Sequence, residues 1–234
     1  DSLRDLGVKF RKDCIIGKTL SYEDLLAEGY KAVFVASGAG LPRFMGIPGE
    51  NLIGVMSSNE YLTRINLMGA GRGGMTPVAR GRRVAVIGGG NTAMDSVRTA
   101  RRMGAERAMI VYRRSEAEMP ARLEEVEHAK EEGVEFMTLC NPIEYRGDER
   151  GNVRSMIVQR MELGEPEPDG RRSPVAIPGA VDEIEIDEVI VSVGVSPNPL
   201  IPDSIEGLDV SKRGTIVVND NMQSSIPLIF AGGD

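Results

Sequence analysis

Three consecutive glycines interrupt the segment VAVIGGGNTAMD, Val84 to Asp95, where a predicted strand passes into a predicted helix. Gly88, Gly90 and Ala93 occupy the three small-residue positions of the pattern G-x-G-x-x-G/A. In such a unit the first glycine allows the tight turn out of the strand, and the second lets a ligand approach the backbone closely. The third small residue lets the helix pack against the strand. The segment therefore predicts a pyrophosphate site at the start of a helix.

The anion is expected to meet backbone N–H groups at the positive end of the helix dipole, a contribution of about 0.3–1 kcal/mol. Asn91 is predicted to be the N-cap of that helix. A glycine-rich turn without a ligand is the alternative, which the strand and helix on either side disfavour. The predicted cofactor contacts are Gly88, Gly89, Gly90, Asn91, Thr92 and Ala93.

The residues after the second strand bear on which dinucleotide would bind. An NAD site is expected to carry an acidic residue about 20 residues after the glycines, where it accepts hydrogen bonds from the ribose hydroxyls. This chain instead has Arg113 and Arg114, 23 and 24 residues after Gly90. Two guanidinium groups suit a 2′-phosphate, and one charge-assisted hydrogen bond is worth about tenfold in affinity. The pair therefore favours NADPH.

Two alternatives remain open at this position. Arg113 and Arg114 could be solvated surface residues, with Glu116 taking the acidic role that NADH requires. Arg122, at the start of the next predicted helix, is a candidate third phosphate contact.

Strands and helices alternate through the middle of the chain. The hydrophobic pattern predicts strands at 84–87 and 107–114, with helices at 92–103 and 121–133. In the second helix Leu123, Val126 and Ala129 are predicted to face inward. Short connections between these elements predict an α/β, Rossmann-like parallel sheet with crossover helices.

The remaining segments carry local patterns of a helix, strands and a loop. Ser21 to Asp24 has the form of a capping box, and Gly29 is expected to end the helix that follows. Residues 31–39 are predicted to form a buried strand, and 66–83 a loop. Extended stretches at 134–140, 153–161 and 181–193, separated by turn-rich segments, predict a three-stranded antiparallel meander.

Composition excludes several function classes. The 234 residues include 28 basic and 35 acidic side chains, for a net charge of −7, so nucleic acid is not an expected partner. Apolar runs fall far short of the roughly 20 residues of a membrane helix, so we expect a soluble, cytoplasmic chain. Cys14 and Cys140 have no thiol near them in sequence, and both are expected to be small buried residues.

No side chain is predicted to be catalytic, and no metal site is predicted. His128, the only histidine, lies off the apolar face of its helix and is expected to be exposed. Asp95 is expected in the first turn of the phosphate-binding helix, in a structural role. The acidic run from Glu124 to Glu132 is expected to be a solvated helix face. Any reactivity would therefore belong to a cofactor.

Several separated motifs together resemble a known family. The segments GGGNTAMDSVRTARRMGA, VYRRSEAEMPARLEEVEHAKEEGVEF, VASGAG with GIPGENLIGV, VIVSVGVSPNP and IFAGGD are similar to those of the glutamate synthase small (beta) subunit and its relatives among the two-dinucleotide-fold flavoproteins. The resemblance covers nearly the whole chain.

The resemblance implies an FAD domain interrupted by an inserted NADPH domain. By similarity, residues 1–38 and 194–234 would be parts of the flavin domain, and 39–193 the NADPH-binding domain. Val193 and Gly194 match the segment near the nicotinamide, and Asp234 matches the acid that holds the flavin.

Two features that the family carries are absent from this sequence: a cysteine-rich iron–sulfur region and a first glycine motif for FAD. The first residue is Asp1 and the chain stops at Asp234, so the sequence is expected to be a piece of a longer protein. This piece is expected to bind NADPH but to hold FAD weakly or not at all. Its expected partners are the missing FAD and iron–sulfur regions and a larger subunit.

The expected function is to bind NADPH within an oxidoreductase that passes hydride from NADPH to FAD. The resemblance implies that electrons pass onward from FAD, either to glutamate formation or, in relatives, to ferredoxin, sulfur compounds or pyrimidines. The alternative is a regulatory or structural nucleotide-binding module without hydride transfer. The absence of a C-x-x-C sequence argues against a disulfide reductase.

Overall fold

The computed structural model describes residues 2–166, 170 and 172–233. The chain forms two compact units. The discontinuous unit contains the described residues up to Leu41 together with those from Val195 onward, and the central unit is Pro42–Gly194.

The first segment of the discontinuous unit contains α1 (Ser2–Asp5), α2 (Tyr22–Ala27) and β1 (Val33–Val35). The predicted capping box is confirmed, because the Asp24 N–H donates to Ser21 Oγ at 3.0 Å and the Ser21 N–H donates to Asp24 Oδ2 at 2.9 Å. The predicted strand at 31–39 shortens to β1, and it is not buried, since Phe34 is 62% exposed. At the boundary between the units lies β2 (Leu41–Pro42).

The central unit contains most of the regular structure. Its elements are β3 (Val55–Ser57), α3 (Ser58–Leu62), a π-helical turn (Thr63–Leu67), a 3₁₀ turn (Ala70–Arg72), β4 (Arg83–Ile87), α4 (Asn91–Arg102), β5 (Arg107–Tyr112), a 3₁₀ turn (Glu116–Glu118), α5 (Leu123–Glu131), β6 (Glu135–Thr138), β7 (Cys140–Gly147), β8 (Val153–Pro166), β9 (Arg172–Glu185) and β10 (Glu188–Val191). The rest of the discontinuous unit contains β11 (Val195–Ser196), α6 (Leu200–Ser204) and β12 (Ile229–Ala231).

Five parallel strands form the sheet of the central unit, in the order β3-β10-β4-β5-β6. The Rossmann-like parallel sheet predicted from sequence is therefore confirmed. Alternate residues of β4 face opposite sides, because successive side chains of a strand point to opposite faces. Val84 and Val86 pack with Ala93 and Val97 of α4, whereas Ala85 packs on the other face.

The antiparallel meander covers the face of the parallel sheet opposite α4. It consists of β7, β8 and β9, and its side chains Tyr145, Met156 and Val158 join the core formed by Ala85 and Met109. The parallel sheet is thus buried on both faces, which accounts for the nearly continuous apolar sequences of β4, β5 and β10.

The meander exists, but its predicted strands were partly wrong. Residues 134–140 divide at Leu139, whose φ of +53° ends β6 and begins the turn into β7. Residues 181–193 divide at Ile186–Asp187, where Asp187 accepts a hydrogen bond from the Arg83 N–H at 3.0 Å. The predicted turn-rich segment around residues 163–174 instead lies largely in the long hairpin of β8 and β9. Within it, 167–169 and 171 lie outside the described residues.

Several smaller expectations also need correction. Leu123 is 74% exposed because it is the first residue of α5, before the buried positions Val126 and Ala129. The loop predicted at 66–83 contains the end of the π-helical turn and one 3₁₀ turn. Cys140 is buried as expected, whereas Cys14 is only half-buried.

Among the residues that the structure describes, no helix combines the length and apolar character needed to cross a lipid bilayer.

Candidate nucleotide-binding site

The glycine turn lies at the carboxyl end of β4, between the ends of β5 and β10. The Gly88 N–H donates to the Val111 carbonyl at 3.0 Å, and the Ser192 N–H donates to the Ile87 carbonyl at 2.8 Å. Gly88 has φ +139°, and a Cβ at this position would lie 2.2 Å from the Ser192 carbonyl oxygen. Only glycine fits here, because both the backbone angle and the neighbouring strand exclude a side chain.

Gly89 forms the side of the turn that faces β5. A Cβ at Gly89 would lie 2.9 Å from the ring of Tyr112 and 3.2 Å from Met119 Cγ. The Gly89 carbonyl accepts the N–H of Ala121 at 3.1 Å. The segment between β5 and α5 is therefore packed directly against the glycine turn.

Gly90 is surrounded differently. Among the described residues, no atom beyond those of its two chain neighbours lies within 4 Å of where its Cβ would be, although its φ of −91° is open to any residue. Gly90 is the N-cap of α4, and its carbonyl accepts the N–H groups of Ala93 at 3.0 Å and Met94 at 3.1 Å. The absence of a side chain at Gly90 therefore leaves open space beside the backbone.

Asn91 was predicted to be the N-cap, and this prediction was wrong. Asn91 is the first residue of α4, and its Oδ1 accepts the Arg122 N–H at 2.8 Å. The side chain thus connects the start of α4 to the start of α5 instead of capping its own helix.

The N–H groups at the start of α4 remain available to a ligand. Within the described ranges, those of Gly90, Asn91 and Thr92 have no acceptor, and Asn91 and Thr92 are exposed. Unsatisfied N–H groups and the helix dipole together favour an anion at this position. Ala93 is fully buried against the sheet, as predicted. We refer to Gly88–Thr92 as the glycine cradle, and its donors and open space fit a pyrophosphate.

Sheet topology places the cradle where such ligands bind. From β4 the chain proceeds through β5 to β6 on one side, whereas β10 and β3 lie on the other side. A crevice forms outside the carboxyl ends of the strands where the strand order reverses in this way. The cradle lies at this switch point.

The two predicted phosphate-binding arginines have different surroundings. Arg113 is exposed and makes no hydrogen bond or ion pair with the part of the chain that the structure describes. Arg114 is only 6% exposed, and its Nε donates to the Arg172 carbonyl at 2.8 Å. The Arg114 carbonyl also accepts the Leu139 N–H at 3.0 Å. Arg114 therefore contacts the start of β9 through a hydrogen bond, whereas the Arg113 side chain is exposed to solvent.

Glu116, the acidic alternative left open by the sequence, is engaged elsewhere. Its Oε1 lies 2.6 Å from Lys130 Nζ, which is also 3.3 Å from Glu127 Oε1. The neighbouring Glu118 carbonyl accepts the Tyr112 hydroxyl at 2.9 Å, which fixes this segment to the end of β5. Arg122 is exposed and is the N-cap of α5.

Val193 and Gly194 follow β10 at the same edge of the sheet as the cradle. Gly194 has φ +107°, and its carbonyl accepts the Arg43 N–H at 3.0 Å. The loop after Arg43 is fixed by Glu50, whose carboxylate accepts the N–H groups of Met45 at 2.7 Å, Gly46 at 2.8 Å and Ile47 at 3.3 Å. Asp234 lies outside the described residues.

His128 and Asp95, both singled out from the sequence, lie on helices α5 and α4. His128 is exposed on α5, as predicted. Asp95 is exposed but lies in the second turn of α4, because the helix begins at Asn91. The described residues contain no group of three or more side chains arranged to hold a metal ion.

A surface pocket of about 730 Å³ lies at the opposite, amino edge of the sheet. Its arginines are largely neutralised, because Arg82 pairs with Glu106 at 2.7 Å and Arg83 pairs with Asp187 at 2.8 Å. Because these arginines are already paired with carboxylates, we do not assign the nucleotide phosphates to this pocket.

Sequence reasoning missed the residues that shape the cradle from neighbouring elements. Ser192 and Tyr112 define the space around Gly88 and Gly89, and Lys130 pairs with Glu116. The spacing from Glu116 to Lys130, 14 residues across a loop and a helix, gave no local signal.

A parallel sheet with a glycine cradle at its switch point defines a dinucleotide-binding fold of the doubly wound α/β class. The model for the pyridine nucleotide-disulphide oxidoreductase family matches residues 5–234. The chain belongs to that family.

Two curated relatives have the names of oxidoreductase or synthase subunits. The chain is 40% identical over 236 residues to the NADPH-Fe(3+) oxidoreductase subunit beta of Geobacter sulfurreducens, covering 100% of this chain and 33% of the relative. It is 37% identical over 239 residues to the glutamate synthase [NADPH] small chain of Halomonas elongata, covering 98% and 50%. The resemblance noted from the sequence motifs is thus confirmed. The chain spans about a third to a half of the length of these relatives.

Solved structures show the same fold. FprA from Mycobacterium tuberculosis, in complex with NADPH, aligns with a TM-score of 0.73 at 22% identity, covering 94% of this chain and 61% of that one.

Proposed function

We propose that the central unit binds NADPH, within a larger flavoprotein oxidoreductase that passes hydride from the nicotinamide to FAD. The single observation that carries the proposal is the glycine cradle. It combines unsatisfied N–H groups at the start of α4 with open space beside Gly90. The proposal assigns the NADPH-binding domain to residues 39–193, and parts of the flavin domain to 1–38 and 194–234.

The choice of NADPH over NADH rests on Arg113 and Glu116. Arg113 is an exposed guanidinium one residue beyond β5, where a 2′-phosphate could approach it. Glu116, which would serve NADH by accepting ribose hydroxyl groups, is held by Lys130. Arg113 is therefore the principal 2′-phosphate contact in this proposal, with Arg114 and Arg122 as secondary contacts.

The relatives support the same assignment. The two curated relatives named above carry NADPH in their names, and the description of the matching family names a pyridine nucleotide. When bound, FAD would accept the hydride, and this chain's contribution would be to orient the nucleotide. Val193 and Gly194 would border the nicotinamide, and Asp234 would contact the flavin.

The length of the relatives bears on the proposed partners, and the names of the relatives bear on the final electron acceptor. Because the chain spans a third to a half of them, the remainder of the FAD site, an iron–sulfur region and a larger partner subunit are proposed to lie outside it. A cytoplasmic location is part of the same proposal. The relatives differ in the acceptor that their names give, so glutamate synthesis is one candidate among several.

The first prediction concerns Arg113. Fluorescence titration of the Arg113→Ala variant should show NADPH affinity at least tenfold lower, with NADH affinity nearly unchanged, because only NADPH carries the 2′-phosphate. Arg82→Ala is the matched control, since it removes an exposed arginine at the opposite edge of the sheet. Equal losses for both nucleotides would show that Arg113 does not read the 2′-phosphate.

Hydride transfer needs its own measurement, because a regulatory nucleotide module would also bind NADPH. In the intact protein with its flavin, NADPH should bleach the yellow flavin absorbance under anaerobic conditions. Tight NADPH binding without bleaching would favour the regulatory alternative.

A further inference from the structure

We propose that Lys130 is a specificity-determining residue, which selects NADPH over NADH by holding the Glu116 carboxylate. This inference rests on the proposed function and deepens it. It names Lys130 as the residue that neutralises Glu116, the carboxylate that an NADH site would use to bind the ribose hydroxyls.

The position of Glu116 makes its charge important. It is the third residue after Arg113 and the first residue of the 3₁₀ turn that follows β5. Two hydrogen bonds hold that segment beside the cradle. The Ala121 N–H donates to the Gly89 carbonyl, and the Tyr112 hydroxyl donates to the Glu118 carbonyl. An ionised, unpaired carboxylate there would accept hydrogen bonds from a ribose and would repel a 2′-phosphate.

Lys130 is held so that it can neutralise this carboxylate. Its Nζ lies 2.6 Å from Glu116 Oε1 and 3.3 Å from Glu127 Oε1. The same ammonium lies 5.8 Å from the centre of the Phe136 ring, within the range of a cation–π interaction. The hydrogen bond that Lys130 donates to Glu116 is the largest cause that raises the pKa of Lys130 above its ordinary value, and the one it donates to Glu127 adds to it.

The stronger contact of Lys130 is with the residue that matters for the nucleotide. Glu127 precedes Lys130 by three residues on the same helix, which is an ordinary helical spacing. Glu116, in contrast, is reached across the loop that leads into α5. The Lys130–Glu116 pair therefore links helix α5 to the 3₁₀ turn that follows Arg113.

The test compares NADPH and NADH affinities in the intact protein by nucleotide fluorescence titration. We expect Lys130→Met to lower the ratio of NADPH affinity to NADH affinity at least fivefold, because Glu116 then becomes an unpaired acceptor. Lys130→Gln should lower the ratio by a similar factor. Because Gln is polar and Met is not, agreement between the two variants shows that the loss of charge causes the change. Lys130→Arg should preserve the ratio, because it keeps the charge.

A second substitution separates Glu116 from Glu127. In the Lys130→Met background, Glu116→Gln should restore the ratio, whereas Glu127→Gln should not. An unchanged ratio in both Lys130→Met and Lys130→Gln would overturn the inference. So would restoration by Glu127→Gln.

Failure of the proposed function would look different. A parent protein that binds neither nucleotide, or binds both equally, contradicts the NADPH assignment itself. A parent that prefers NADPH and loses the preference in Arg113→Ala, but keeps it in both neutral Lys130 variants, contradicts only the role of Lys130.

Discussion

Gly88 and Gly90 differ at the residue scale in what their missing side chains provide. Gly88 is required by the fold, because a Cβ would lie 2.2 Å from the Ser192 carbonyl oxygen and the φ of +139° is unfavourable for other residues. Gly90 is not required by the fold, since its φ is −91° and its surroundings are open. The proposed pyrophosphate would use that open space.

We therefore predict opposite outcomes for substitutions at these two glycines. Gly90→Ser should keep or slightly raise the unfolding temperature, because serine is a favoured N-cap, while weakening NADPH binding at least tenfold. Gly88→Ala should instead lower the stability of the fold by a few kcal/mol. Thermal unfolding and fluorescence titration of both variants check this. NADPH affinity unchanged in Gly90→Ser would count against the cradle as the pyrophosphate site.

Strand β10 contains a buried carboxylic acid, Glu188. All four of its residues are buried, including Glu188, which is 1% exposed. Glu188 Oε2 accepts the Gly81 N–H at 2.8 Å, while Oε1 has no partner among the described residues. Burial raises the pKa of Glu188 from 4.5 to about 7, against the smaller opposing effect of the Gly81 hydrogen bond.

This raised pKa predicts that the fold loses stability as pH rises. Between about pH 4.5 and 7 the unfolded chain releases the Glu188 proton while the folded chain keeps it, so the free energy of unfolding falls by on the order of 3 kcal/mol in total. The contribution is fully present below pH 4.5 and lost above pH 7. Urea unfolding at pH 5 and pH 8 should show a smaller difference for Glu188→Gln than for the parent. Parallel pH dependences would contradict the assignment.

The two units matter at the scale of the whole molecule, because the cradle lies entirely in one of them. Gly88–Thr92, Arg113, Lys130 and Gly194 all belong to the central unit. The parallel sheet, its helix α4 and the covering meander also lie within it, and together they bury both faces of the sheet.

We predict that residues 42–194 alone will fold and bind NADPH. Circular dichroism should show a cooperative unfolding transition, since the central unit carries its own core. NADPH affinity should be within about twofold of that of the 234-residue chain, because one charge-assisted contact more or less would change it about tenfold. Residues 42–194 carrying Arg113→Ala provide the control. A folded but non-binding central unit would show that the site needs the discontinuous unit.

Local patterns foretold much of this architecture. The capping box at Ser21, the buried strand β4 and the helix after the glycines are recognisable because neighbours in sequence make those structures. The break at Leu139 and the exposure of Phe34 were not foretold. The strands on either side of these residues pair with strands distant in sequence, β6 with β5 and β1 with β12, and such pairing leaves no local pattern.

The sequence by itself determined the strand, the glycine turn and the helix, because a few adjacent residues fix those backbone conformations. It also showed two arginines 23 and 24 residues after Gly90, the basis of the NADPH proposal. Folding, in contrast, exposes Arg113 and buries Arg114, and it brings Asn91 to the Arg122 N–H and Lys130 to Glu116. The physical reason is that side-chain direction and pairing depend on elements brought together by folding, and such contacts leave no periodic signal in the chain.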